Sequence, residues 1–511
     1  MITTSLLPYA TAGPATLAAA ATATTMHRYG VGVGYWREDD PEIRANIRRG
    51  ARIRREWRHT ARHVRLRLVD DAPTLADRWA GREKRRKPHI VIPKLLDMEA
   101  DPYGLTLHFE TVNDIGFDEF LERANKLRNA WKMRRVSISE PEPGLLRVRA
   151  VYHDPMTIER TAGIPERITD FSRLHLGPDL FGEPVFLPLS NGSGMTVAGN
   201  PGYGKTNFLL WLITELAPSR CVQFLVASGK ASSPLQSDYR PVASRVSSLL
   251  GKDPETLKCA LRQLQAEMER RYLVMFDELG TNNFWQAGPS EDWPLIMPIL
   301  DECQKWMDDK EIVALIKDMI ETCRGAGIFF VFAVQKPTEE NLPTFIRDLV
   351  TSNISMPVRT SQASVAALGE DIREFKDMSP HKIMRPAYRG VGTIRNETDA
   401  GFTQFKAEFM PDSLATAVCE STAHYTRDIP GVEEGREHRQ MREAATRPAP
   451  DDASSLMSTT PPAKPKPPAK PKAKPAAESG DATGPERDRR RSPGRGPRGT
   501  GAHPRRTDID R

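Results

Sequence analysis

Cysteine is scarce in this chain, with five in 511 residues. Cys221, Cys259, Cys303, Cys323 and Cys419 are scattered, without a CxxC pair or a Cys/His ligand spacing. That excludes a zinc ribbon and a disulfide framework, and reads as reduced thiols in a cytoplasmic protein. Long apolar runs are missing too. The one candidate, Leu6 to Thr25, is Ala/Thr-rich, interrupted by Pro8 and Pro14, and lacks a Leu/Ile/Val core. A membrane span needs about 20 mostly apolar residues, and Ala and Thr add little to insertion. No basic segment leads into it, so a signal peptide is not expected. Residues 1–27 read as a disordered leader, with a weak peripheral membrane contact as the second reading.

Net charge is nearly absent from most of the chain. From Arg447 onward there are 15 Lys+Arg and 8 Asp+Glu, a net of +7, against +6 for the whole. The high pI therefore belongs to a tail, and it cannot by itself argue for nucleic acid. The 42 prolines are also unevenly spread. Residues 444–511 hold the Pro/Lys repeat from Pro461 to Pro468 and the run Arg489-Arg490-Arg491. This composition cannot bury a core and reads as a disordered basic tail.

What is present falls into segments. Residues 28–87 are dense in arginine, and Ile43, Ile47, Ile53, Trp57 and Val64 form an apolar stripe. That predicts a basic helix, whose outer face is either merely solvated or in contact with DNA or phospholipid. Residues 88–160 read as a small α/β unit. Leu105 to Phe109 forms a strand, and Phe117 to Lys132 forms a helix with Phe120, Ala124, Leu127 and Trp131 on one face. A hairpin follows, from Arg135 to Ser139 and from Leu145 to Val151. Residues 161–415 alternate apolar strands and helices, which implies a parallel sheet covered by helices. Residues 416–443 read as a helical extension.

The chemistry sits in the alternating segment. The apolar run Met195 to Ala198 is followed at once by Gly199-Asn200-Pro201-Gly202-Tyr203-Gly204-Lys205-Thr206, then by a helical pattern from Asn207 to Leu216. Strand, glycine-rich loop and helix form the context of a phosphate-binding loop. Glycines let backbone N–H groups converge on phosphate oxygens, and the helix turns its positive end to the anion. ATP and Mg²⁺ are the expected cofactors. Gly199 to Asn207 would cradle the phosphates, with Lys205 on the β/γ oxygens and Thr206 on the metal.

Such a loop needs an acidic partner at the end of a neighbouring strand. Two runs end in Asp-Glu, one at Asp277-Glu278 and one at Asp301-Glu302. Upstream of the first, Leu257, Leu261, Leu264, Met268, Tyr272, Met275 and Leu279 recur at steps of three or four. That is one face of a long helix, closed by Gly280. The second run, Leu295 to Leu300, has no helical period and reads as a buried strand. Asp301 is thus the expected magnesium residue and Glu302 the expected base. Pro298 is awkward there, because it removes a ladder hydrogen bond; a bulge or a locally unpaired neighbour must absorb it. A third strand, Ile328 to Val334, ends in Gln335, where it could sense the γ-phosphate or position water.

These residues resemble the FtsK/SpoIIIE family of DNA translocases, over roughly Phe171 to Phe409. The resemblance rests on several segments. They are Leu176 to Asp179 with Gly182 to Val185, Ala266 to Tyr272, Cys323 to Ile328, Ala333 to Pro337 and Val358 to Gln362. The variant that looks most similar is the conjugative plasmid-transfer type of mycelial bacteria. The resemblance implies a RecA-like P-loop motor, a homo-hexameric ring around double-stranded DNA, and an arginine finger from the neighbouring subunit. Arg324 is the first candidate finger, with Arg359 and Arg347 behind it. It also supports Asp301-Glu302 over the earlier pair. The chain departs from the family in lacking a multi-span membrane domain and a winged-helix segment. After Val226-Ala227-Ser228-Gly229 it keeps the family's lysine, Lys230, without the usual aspartate. The expected function is an ATP-driven double-stranded DNA translocase in the cytoplasm, with peripheral membrane association as an added reading. The alternative is a protein-secretion ATPase of the same superfamily, disfavoured by the single P-loop.

Overall fold

The computed structural model describes residues 34–432 apart from 86, 234–235 and 397–400, together with His438, Arg439 and Arg442. The expected leader and the basic tail lie outside the described residues. The expected helical extension at 416–443 is corrected: among its described residues the helix Asp412–Ser421 ends early, a short turn follows at Ala423–Tyr425, and residues 426–432 are not helical.

The first layered unit begins with helix α1 (Pro41–Val64). Asp40 caps its N-terminus, accepting from the Glu42 N–H at 2.7 Å. Four antiparallel strands follow: β1 (Lys94–Ala100), β2 (Gly104–Glu110), then, after helix α2 (Phe117–Ala130), β3 (Arg135–Glu142) and β4 (Leu145–Val151). Their order is β1-β2-β4-β3. Strand β1 escaped the sequence reading, because its exposed positions outnumber its half-buried ones and leave no apolar signal. Ile53, Trp57, Ala61 and Val64 of α1 share one core with Leu105, Phe109, Phe120 and Leu127. The Trp57 ring lies 4.7 Å from that of Phe109, and its Nε1 donates to the Pro93 carbonyl at 2.7 Å. The arginine-rich helix is therefore built into the small sheet unit through its apolar side.

A hairpin, β5 (Leu174–Pro178) and β6 (Pro184–Leu187), leads into the second unit. Arg147 and Arg149 of β4 reach back to it, the first to the Glu183 carboxylate at 2.6 Å and the second to the Phe181 carbonyl at 2.7 Å. The elements beyond are β7 (Gly194–Ala198), α3 (Lys205–Leu216), β8 (Val222–Ser228), β9 (Ser248–Leu250), α4 (Pro254–Leu279), β10 (Leu295–Asp301), α5 (Lys310–Thr322), β11 (Phe330–Val334), α6 (Thr344–Leu349), β12 (Ser352–Ser355), α7 (Ser361–Leu368), β13 (Val391–Asn396), β14 (Gly401–Lys406) and α8 (Asp412–Ser421).

The eight strands form one sheet in the order β9-β8-β10-β11-β7-β12-β13-β14. It is parallel from β9 to β12, and β13 and β14 close it antiparallel. The parallel strands β7 to β11 are buried throughout, as expected where helices cover both faces. Alternation within each strand sorts the side chains. Val222, Phe224, Val226, Met297 and Ile299 join α3 and α8 on one face. Leu225, Ala227, Ile296 and Leu300 join α4 and α5 on the other. Each buried Leu, Ile or Phe contributes about 1.5–3 kcal/mol relative to exposure.

The first Asp-Glu pair lies at the end of helix α4. The helix runs 26 residues from its Asp253 cap to Gly280, which takes φ 69° and donates to the Phe276 carbonyl. Asp277 and Glu278 lie in its last turn, both exposed, and Glu278 accepts from Trp293 Nε1 at 2.9 Å. Leu257, Leu261, Leu264, Met268 and Met275 are buried along one face. Tyr272 is not; its place in the core is taken by Arg271, paired with buried Glu267 at 3.0 Å.

Pro298 is absorbed without a bulge. Its register with β8 is continuous. Toward β11, Ile296 both donates and accepts, so Pro298, two residues on, faces the same way. The ladder skips it: pairing holds at Ile296–Ile328, lapses, and resumes at Ile299–Val331.

Candidate functional site

The site gathers at the C-terminal edge of the parallel strands, where a doubly wound sheet opens its ligand crevice. The loop from Gly199 to Gly204 is pinned at its start. The Gly199 N–H donates to the Val334 carbonyl at 3.1 Å, and the Asn200 N–H to the Pro357 carbonyl at 3.0 Å. Gly202 and Gly204 take φ values of 84° and 102°, a region costly to any residue with a Cβ. Gly204 is the residue from which α3 departs. The loop thus curls around the helix N-terminus, whose free N–H groups and dipole favour an anion. A cavity of about 450 Å³ lies over it, bounded by Lys205, Thr206, Lys230, Gln335 and Arg389 among others.

Lys205 is 5% exposed and turned under the loop, where it forms ion pairs with Asp301 and, at 3.4 Å, with Glu302. The pair does not sit on the adjacent strand. β11 lies between β7 and β10, so Lys205 reaches across it, and the intervening strand delivers Gln335 to the same point. The acidic pair thus stands one strand beyond the strand that borders the phosphate loop. Gln335 Nε2 donates to Glu302 Oε1, and Gln304 Nε2 donates to Glu302 Oε2 at 2.5 Å. Glu302 itself holds φ 59° while 2% exposed. A non-glycine residue in the left-handed region costs about 1 kcal/mol or more, a strain typical of functional positions. The turn aims its carboxylate back over the strand end.

Lys230 and Asp238 complete the cluster, and the sequence reading left both out of the site. Lys230 Nζ lies 3.5 Å from Thr206 Oγ1, 3.4 Å from Glu302 Oε1 and 3.2 Å from Asp238 Oδ2. Burial works against its charge, but Asp301, Glu302 and Asp238 outweigh it and hold its pKa above the usual lysine range. Asp238 supplies an acid eight residues on where none directly follows Lys230. Tyr239 is fully buried, and burial followed by the charge of Asp301 keeps its hydroxyl protonated. The signals that pointed to Lys230 were its resemblance to the family's lysine and its place just beyond the end of β8; its contacts, made through a loop, leave no periodicity.

The remaining expected residues separate. Asn207 does not face the cavity alone: its side chain clamps the Met410 backbone, accepting at 3.0 Å and donating at 2.6 Å. Tyr203 accepts from the Gly390 N–H at 2.9 Å, which seats the 386–390 segment against the loop. Arg324 is exposed at the N-terminal end of β11, the opposite edge of the sheet from Lys205. Arg347 and Arg359 share a second cleft of about 780 Å³, next to Asn200 and Pro201.

No metal or nucleotide accompanies the chain, but its residues fit both. Asp301 is fully buried, and neither its Oδ2 nor the Tyr239 hydroxyl beside it makes a hydrogen bond of good geometry. A carboxylate oxygen buried in that state, with the Thr206 hydroxyl close by, forms the hard oxygen donor set that suits Mg²⁺.

Residues 170–357 match the sequence model of the FtsK/SpoIIIE family. The chain carries an FtsK/SpoIIIE-family domain. Among curated proteins it is similar to the DNA translocase FtsK of Halalkalibacterium halodurans, 26% identical over 267 residues, covering 47% of this chain and 33% of that protein. It is also similar to the DNA translocase FtsK of Staphylococcus aureus strain Mu50, 23% identical over 310 residues, covering 56% and 39%. The chain thus spans about a third of the length of these relatives. Among solved structures it is similar to the pCW3 conjugation coupling protein TcpA with ATPγS, at 16% identity and TM-score 0.44, covering 65% of this chain and 94% of that one. Among the described residues, no helix is long and apolar enough to cross a membrane.

Proposed function

We propose that the chain is an ATP-driven translocase of double-stranded DNA, working as a homo-hexameric ring. The observation that carries this is the buried cluster of Lys205, Asp301, Glu302 and Gln335 beneath a pinned glycine loop, within a domain of the FtsK/SpoIIIE family. The FtsK relatives are DNA translocases by name, which supports DNA as the cargo.

Each residue has a part in ATP hydrolysis. The backbone from Gly199 to Thr206 and the N-terminus of α3 hold the phosphates, and Lys205 exchanges its carboxylate partners for phosphate oxygens. Thr206 and Asp301 would hold Mg²⁺, which supplies charge neutralisation at the phosphates when bound. Glu302 accepts the proton of the attacking water on a carboxylate oxygen. Gln335 and Gln304 fix the orientation of that carboxylate. Lys230 pairs with Glu302 and adds a positive charge beside Thr206.

Arg324, on the far edge of the sheet, cannot serve this chain's own phosphate loop, so as a finger it acts on a neighbouring copy. Arg359 and Arg347 are the alternatives. Peripheral contact with a membrane and movement of plasmid DNA between cells belong to the same reading.

The test is the ATPase rate with and without duplex DNA. The expected result is stimulation by DNA, abolished in Lys205→Ala. Equal rates with and without DNA would overturn the translocase reading in favour of a protein-secretion ATPase of the same superfamily.

A further inference from the structure

Helix α1 carries eight arginines against two acids, Glu42 and Glu56, a net of +6 that equals the excess of the entire chain. The motor site uses none of them. An α-helix turns roughly 100° per residue. On that rotation the buried Gly50, Ile53, Trp57, Ala61 and Val64 fall on one face. Arg48, Arg52, Arg55 and His59 fall on the line opposite, and all four are exposed. The half-buried Arg44 and Arg62 continue the line at its ends, giving it a length of about 27 Å at 1.5 Å per residue.

Two features separate this line from an ordinary solvated face. A solvated helix interleaves charges of opposite sign, since like charges three or four residues apart repel. Here Arg48, Arg52 and Arg55 follow one another at those spacings, and the one acid beside them, Glu56, sits at the edge of the line four residues after Arg52, which leaves arginine in excess. The second feature is what lies beneath. The apolar side of α1 is locked into the small sheet by Trp57 and Phe109, 4.7 Å apart. A helix lying on a membrane sinks its apolar face among the lipids. Most of the apolar side of this helix is taken up by that packing, with Ile43 and Ile47 half-buried, and its outward side is cationic and polar. A partner bound there is held by charge alone, and arginine's planar guanidinium suits phosphate.

We infer that the outward face of α1 is a docking surface for the phosphate backbone of double-stranded DNA. It tethers the duplex outside the ATP site, without reading sequence. The inference rests on the DNA reading of the motor and places a second contact on a separate element. Each strand of a duplex presents a phosphate about every 3.4 Å of axis, while the arginine line repeats every three or four residues, about 5–6 Å, over about 27 Å, so several pairs can form along it.

The experiment measures binding of the full chain to a duplex of arbitrary sequence across a salt series, for wild type and for Arg48→Ala/Arg52→Ala/Arg55→Ala. Each lost phosphate contact removes about 0.9 from the slope of log affinity against log salt. The expected result is a slope reduced by roughly 2–3 and an affinity weakened on the order of a hundredfold near 0.1 M salt. Thermal stability and the DNA-free ATPase rate should stay as in wild type. A slope and affinity unchanged by the triple substitution would overturn the inference while leaving the motor reading intact. So would an unchanged slope together with lost sedimentation on phosphatidylserine-containing vesicles, which would make α1 a lipid face. A wild-type chain that binds no duplex at any salt would instead remove the motor reading and this inference with it.

Discussion

Glu302 sits where three constraints meet. Its backbone is held in the left-handed region, its carboxylate is tied by Gln335 and Gln304, and two lysines lie within 3.4 Å. A carboxylate so oriented is placed for proton transfer, which typically contributes 10²- to 10⁴-fold to a rate. Glu302→Gln is therefore expected to lower ATP hydrolysis by about 10²-fold or more while preserving nucleotide binding. Glu278→Gln, on an exposed helix end, should change hydrolysis less than twofold on the scale of such effects. Steady-state rates and binding of a fluorescent nucleotide check both, and the opposite pattern would reverse the choice of acidic pair. That choice was legible because helix and strand differ in period. The seven apolar positions from Leu257 to Leu279 marked a helix, and the unbroken run before Asp301 marked a buried strand. Lys230, Asp238 and Tyr239 were not legible as a group, since only the packing of a loop brings them to Asp301.

At the scale of elements, α3 starts at the phosphate loop, and its far end carries a half-buried acid. Burial, then the charge of Glu408, pushes the pKa of Glu215 up to about 7. A carboxylic acid raised in the folded state opposes folding once the unfolded chain has ionised. Stability should therefore fall as pH rises from about 4.5 to about 7 and level off above. The span corresponds to roughly 1–2 kcal/mol once the partial exposure of the site is discounted. Glu215→Gln should remove that slope and raise the unfolding midpoint at pH 8, as denaturant titrations at pH 5 and pH 8 would show. A slope that survives the substitution assigns it elsewhere. The order of strands was the part of the fold least available from sequence. Alternation announced a parallel sheet, but nothing local told that β11 would separate the phosphate loop from its acids. Nor did it tell that β13 and β14 would close the edge antiparallel. Strand order is fixed by long-range packing, here by the two cores that α3 and α8 on one side, and α4 and α5 on the other, impose on the sheet.

At the scale of the whole molecule, labour is divided between the small sheet unit and the motor. The small sheet unit holds α1 with its cationic side outward, and arginines on β4 fasten it to the hairpin before the motor. The motor holds Lys205 on one edge of its sheet and Arg324 on the other, and the proposed ring would bring Arg324 to the neighbouring copy's site. Mixing Lys205→Ala chains with Arg324→Ala chains should therefore restore part of the ATPase activity that each lacks alone, as the rate measured across mixing ratios would show. A flat response would remove Arg324 from the site. The central claim is that hydrolysis at Lys205 and Glu302 moves the chain along DNA. The most direct measurement is displacement of a third strand from the end of a long duplex. The account predicts ATP-dependent displacement by the wild-type chain and none by Glu302→Gln, even where that variant binds the duplex. Hydrolysis by the wild-type chain on the same duplex without any displacement would contradict it.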